Sequence, residues 1–166
     1  SGNGPLVAVL KNALGRSSSG FVNGVKKYVE QHEYGVKKIP RHHVIIFDEA
    51  QRAYDLKKTI NSLKSRRKQL ELNIEDLNSS QPEILMKSID LHKGWAVLVC
   101  LVGGGQEINK GEGGMEEWLK ALRDNFPDWK VWISNALDSK YYLPTFDLNF
   151  FTKVGILKLI TLIQTH

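Results

Sequence analysis

Three short stretches of the chain are apolar almost without interruption: His43 to Asp48, Trp95 to Val102 and Lys130 to Ser134. Runs of this length, rich in valine and isoleucine and without polar alternation, are the pattern of buried strands in a parallel sheet. Around them apolar residues recur at helical spacing. Leu6, Val9, Leu10, Ala13 and Leu14 predict a helix after the loop Ser1-Gly2-Asn3-Gly4-Pro5, with Pro5 suited to the first turn. A second helix is predicted from Phe21 to Gln31, ending near Gly35. Leu56, Ile60, Leu63, Leu70, Ile74 and Leu77 trace a stripe for a long helix or helical hairpin, interrupted at Arg67. Ser79-Ser80-Gln81-Pro82 breaks the chain, Pro82 opens a helix through Leu91, and another runs from Met115 to about Asn125.

Strands alternating with helices predict an α/β fold with a parallel sheet flanked by helices. Ligands of such sheets bind outside the carboxyl ends of the strands. Asp48 and Glu49 end the first strand, and Gly103-Gly104-Gly105-Gln106 ends the second, so both polar motifs are predicted on one rim.

The first motif, Val44-Ile45-Ile46-Phe47-Asp48-Glu49, has the Walker B arrangement of four apolar residues followed by two acids. The strand buries itself, and its end aims an acid at the site. In that reading Asp48 orients magnesium, through a water, and Glu49 activates the water that attacks a γ-phosphate. The plain alternative is a strand running into an acidic helix start, where carboxylates meet a favourable dipole. A phosphate-cradling loop of the form GxxxxGK[ST] must accompany the first reading. The chain has none, since no glycine is followed by lysine. The glycine-rich loop Gly103 to Gly114 lacks that ending and follows the later strand.

Four blocks in this order, SGNGPL, VIIFDEAQRAYD, QPEIL and GWAVLVCLVGGGQEINKGEGGMEEW, resemble the Schlafen group 3-like DNA/RNA helicase domain, a P-loop family. The long GGGQE block is the most specific; DEAQR is shared with many helicases. The resemblance covers Ser1 to about Asn149 and implies a partial RecA-like P-loop NTPase domain over residues 1–150, followed by a divergent tail over residues 151–166. In the family the first strand and Walker A precede the segment similar to SGNGPL, so the chain is expected to be a motor fragment; it does not open on methionine.

By motif match, Asp48 and Glu49 are the Walker B pair, and Gln51 and Arg52 complete it, linking the nucleotide to the inter-domain cleft. Gln106 is similar to the γ-phosphate sensor of helicase motif III, with Gly105 beside it at the nucleotide. Asn3 is similar to the motif Ia region that faces the nucleic-acid strand. ATP and Mg2+ are implied for the complete protein and none is expected on this chain, which lacks the phosphate loop. After Asn149 the family continues into a segment carrying an arginine. Here Phe151-Thr152-Lys153-Val154 follows, and no arginine comes before His166. ATP hydrolysis is therefore expected only of the complete protein.

Composition changes this picture in three respects. First, Lys57, Lys58, Lys64, Arg66, Arg67 and Lys68 together exceed the whole formal charge of +5, so the basicity is local. Lys64, Arg66, Arg67 and Lys68 are candidates for contact with DNA or RNA, and the alternative is a solvated helix face. Second, the single cysteine, Cys100, lies in an apolar run and predicts a buried, unreactive thiol. Third, no apolar stretch is long enough to span a bilayer, and a cytoplasmic protein is expected. No histidine pair has metal-ligand spacing. Trp95, Trp118, Trp129 and Trp132 lie in apolar-periodic segments and are expected in the core. Two readings compete with the motor: a non-catalytic binding module of the same fold, and a magnesium-dependent nuclease that would recruit Glu107 or Glu112 as a further acid.

Overall fold

The computed structural model describes residues 4–15, 20–33, 39–64, 78–103, 110–134 and 158–165. Helices α1 (Gly4–Leu14) and α2 (Val25–Glu33) precede strand β1 (Val44–Phe47). A 3-10 turn over Ala50–Arg52 leads into α3 (Leu56–Lys64), and α4 (Gln81–Asp90) then feeds β2 (Ala96–Gly103). Helix α5 (Gly114–Asn125), β3 (Lys130–Ile133) and β4 (Lys158–Thr165) complete the order. The second half of the expected 56–77 helix lies outside the described residues.

All three strand pairings are parallel, in the order β1-β2-β4-β3. Val44 lies opposite Val97 and Phe47 opposite Cys100, so the two apolar runs end at neighbouring levels. No strand was expected after Ser134. Lys158–Thr165 nevertheless joins β2 to β3, pairing Ala96 with Lys158 and Lys130 with Leu159. A short apolar run is ambiguous between helix and strand until a neighbouring edge offers it hydrogen bonds.

Local chemistry starts and stops the helices. Ser80 caps α4 by a capping box: its Oγ accepts from the Glu83 backbone N–H at 3.5 Å, and Glu83 Oε2 accepts from the Ser80 N–H at 2.7 Å. Helix α5 carries Glu116 and Glu117 in its first turn and Arg123 in its last, each matching the helix dipole.

Among the described residues the core lies on one side of the sheet. Ala96, Leu98, Cys100 and Val102 of β2 are fully buried against Leu85, Met86 and Ile89 of α4 and Trp118, Leu119 and Leu122 of α5. The uninterrupted apolar runs predicted strands buried on both faces. Instead, Val97, Val99 and Leu101 are half-buried, and Val44 and Ile46 of β1 are exposed. The reason is topological. The β1-to-β2 and β2-to-β3 connections step across the sheet in the same direction, and right-handed crossovers in one direction lay their helices on one face. The same geometry corrects the expectation for the tryptophans. Trp118 and Trp129 are core residues, whereas Trp95 and Trp132 are 49% and 54% exposed.

Helix α2 forms an outer layer on α4, where Val29 is buried and Tyr28 Oη and Ser88 Oγ lie 2.9 Å apart. Burial raises the Tyr28 phenol pKa, and the bond to Ser88 partly offsets this. No described helix is long and apolar enough to cross a membrane.

Two outcomes check this packing. Burial pushes the Cys100 thiol well above its ordinary pKa. A thiol reagent at pH 8 is therefore expected to leave the native protein unlabelled and to label it fully once urea unfolds it. Ser80→Ala removes one half of the capping box and is expected to lower stability by about 1 kcal/mol in urea denaturation.

Candidate functional site

The chain leaves the carboxyl end of β1 through a strained turn. Asp48 and Glu49 follow Phe47, both half-buried. Glu49 has φ 58 and ψ 49, the left-handed region that residues with a Cβ rarely adopt. The conformation is fixed by what comes next. Arg52 N–H donates to the Glu49 carbonyl at 3.0 Å, Ala53 N–H donates to that of Ala50 at 3.1 Å, and the Ala50 carbonyl accepts from Trp118 Nε1 at 2.8 Å in the core. A non-glycine residue held at positive φ beside the predicted site is the kind of local strain that surrounding packing must maintain.

Gln51 joins the two strand ends. Its side chain is buried, with Nε2 donating to Glu49 Oε2 at 2.6 Å and Oε1 accepting from the Gly103 N–H at 3.2 Å. Gly103 lies close beneath them: a Cβ there would stand 3.0 Å from Glu49 Oε2 and 3.1 Å from Gln51 Nε2, and the two side chains would have to give way by a few tenths of an ångström. Thus the carboxylate of Glu49, the amide of Gln51 and the last residue of β2 meet at the rim that the sequence pattern predicted.

Arg52 holds the far end of the glycine loop. Its Nε lies 3.5 Å from Glu112 Oε1, and Lys58 Nζ lies 3.9 Å from the same oxygen. The Glu112 side chain is only 4% exposed. Backbone bonds reinforce the attachment: Asp55 N–H donates to the Gly111 carbonyl at 3.0 Å, and Gly113 N–H donates to that of Ala53 at 2.8 Å. Gly111 sits at φ 85, where a Cβ would lie 2.8 Å from Lys58 Cδ. The segment after β1 therefore grips both ends of the loop that begins at Gly103.

Gly105 and Gln106 within that loop lie outside the described residues, as do Asn3, Arg66, Arg67 and Lys68. Lys64 is exposed at the end of α3, whose Leu63 is buried. Sequence reasoning missed the clamp that Arg52 and Lys58 form on Glu112, and missed the bond from Trp118. Arg52 and Glu112 are 60 residues apart and Ala50 and Trp118 are 68 apart, so no local spacing announces them. Among the described residues no group of three or more histidine, cysteine, aspartate or glutamate side chains could hold a metal ion. One carboxylate at a strand end instead fits a magnesium ion that keeps its waters and arrives with phosphates.

These features define an α/β domain, with a parallel sheet flanked by helices and a polar constellation at the carboxyl ends of adjacent strands. Residues 1–149 match the family model of the Schlafen group 3, DNA/RNA helicase domain, and the chain belongs to that family. No curated protein and no solved structure matches it.

The strain at Glu49 has a measurable consequence. Asparagine tolerates the left-handed region, whereas a β-branched residue there is an outlier. Glu49→Val is expected to be less stable than Glu49→Asn by about 1–2 kcal/mol, read from urea midpoints. Equal midpoints would mean that Glu49 relaxes out of the left-handed region.

Proposed function

We propose that the chain is the greater part of a RecA-like P-loop motor domain that hydrolyses ATP and acts on nucleic acid, with the phosphate-cradling loop supplied by sequence outside these residues. The observation that carries this reading is the Gln51 side chain, which ties Glu49 at the end of β1 to Gly103, where the Gln106 loop leaves β2. In a motor of this kind one element must contact the attacking water and a neighbouring one must report the γ-phosphate, and a shared amide couples them.

In this reading Asp48 holds a nucleotide-borne magnesium ion through water, and that ion would neutralise charge developing on the phosphates. Glu49 accepts the proton of the attacking water. Gln51 orients the Glu49 carboxylate, since its Nε2 donates to Oε2. Gly105 and Gln106 face the γ-phosphate. Arg52, held by Glu112, carries the state of the site outward. Asn3 and the basic residues Lys64, Arg66, Arg67 and Lys68 are candidates for the nucleic-acid strand.

The nuclease reading is less favoured. It needs a third acid at the rim; Glu112 is engaged by Arg52 and Lys58, and Glu107 lies outside the described residues.

The test is ATP turnover by the complete protein. Glu49→Gln is expected to lower it a hundredfold or more while nucleotide affinity stays at the parental level, because the base is removed and the magnesium ligand is kept. Parental turnover in that variant would reduce Glu49 to a turn-forming acid and leave a non-catalytic module of the same fold as the reading.

A further inference from the structure

The rim opposite Asp48 and Glu49, where β1 and β2 begin, gathers side chains that no role above uses. The parallel register of Val44 with Val97, and a 2.8 Å bond from the Val97 N–H to the His43 carbonyl, set Arg41-His42-His43 beside Lys93-Gly94-Trp95. Three rings lie against one another there, His92 tilted on His43 and His43 stacked on Trp95. The His92 and His43 centroids are 4.0 Å apart, and those of His43 and Trp95 are 4.6 Å apart at an interplanar angle of 24°. Polar contacts pin the stack: His43 Nδ1 lies 2.7 Å from the Trp95 carbonyl, and His92 Nε2 lies 3.2 Å from that of His42.

His92 is buried, so the stack rises from the core and ends on the half-exposed Trp95 indole. Gly94, at φ 101, turns the chain so that Lys93 and Trp95 both emerge. Arg41, His42 and Lys93, in the same two segments, are exposed. No aspartate or glutamate occurs from Tyr34 to Phe47 or from Leu91 to Gln106.

We propose that this rim is a contact site for single-stranded nucleic acid, in which a base stacks on the outward face of Trp95 and flanking phosphates meet Arg41 and Lys93. A flat ring already fixed on its inner side presents its outer side without further ordering, and cations beside it suit a polyanion. Base stacking on such a platform tolerates any sequence. The site rests on the reading above only in its choice of polymer, and it requires neither ATP nor Glu49.

The test is fluorescence anisotropy of a labelled oligo-dT or oligo-U of about ten nucleotides with this 166-residue chain in low salt. Trp95→Ala is expected to weaken binding about tenfold or more, with Trp95→Phe retaining most of the affinity. Arg41→Ala with Lys93→Ala is expected to flatten the logarithmic salt slope by about 1.4. Trp132→Ala, which removes a similarly exposed tryptophan on the edge strand β3, is expected to bind as the parent does. Protection of Cys100 from thiol reagents shows that each variant is folded.

Parental affinity in folded Trp95→Ala, equal losses in Trp95→Ala and Trp132→Ala, preference for duplex, or no binding by the parent chain would each overturn the proposal. None of these outcomes bears on whether Glu49 supports ATP turnover in the complete protein, so the two readings fail separately.

Discussion

The buried amide of Gln51 is the interaction on which the carboxyl rim depends. A backbone N–H can only donate, so the Gly103 amide must face Gln51 Oε1 and the Gln51 NH2 must face an acceptor. Glu49 Oε2 is that acceptor. The orientation of one side chain is thereby fixed by its two neighbours, and it fixes theirs in return. Were the amide lost, Glu49 Oε2 and the Gly103 N–H would each lose this part-buried contact, and removing one partner of such a contact is costly.

The turn at Glu49 makes sense against that constraint. Without a left-handed residue after Asp48, the chain would continue away from β2 rather than fold back into the 3-10 turn that delivers Gln51. The core maintains the conformation through Trp118, whose indole N–H reaches the Ala50 carbonyl from α5. Local strain at one residue is therefore balanced by a hydrogen bond from an element 68 residues away. Beyond Gln51, Arg52 and Lys58 neutralise the buried Glu112 carboxylate, so the loop leaving β2 returns to the same short segment it left. Both described ends of this loop are joined to the segment after β1 by polar contacts.

The sheet topology divides the surfaces between tasks. The crossovers that carry α4 and α5 step in one direction, which places the two helices on a single face and buries alternate residues of β2 completely. The carboxyl rim receives the acids and glycines because loops after parallel strands open there. The amino rim receives the stacked rings and cations, with Val44, Ile46 and Trp132 exposed on the less covered face.

Much of the architecture was legible in the sequence because its signals are local. Continuous β-branched runs marked β1, β2 and β3, helical spacing marked α1, α4 and α5, and the acids after Phe47 together with the glycines after Val102 placed the polar rim. The family blocks added the expected roles of Asp48, Glu49, Gln51 and Arg52. What the tertiary structure decided is what depends on residues distant in the chain. It inserted Lys158–Thr165 between β2 and β3, because a strand is chosen by the edge that accepts its hydrogen bonds. It exposed Trp95 and Trp132, because apolar periodicity reports that a face is apolar and not whether anything covers it. It paired Glu112 with Arg52 and Lys58, because two carboxylates with the same sequence surroundings differ only in which cations the fold brings beside them.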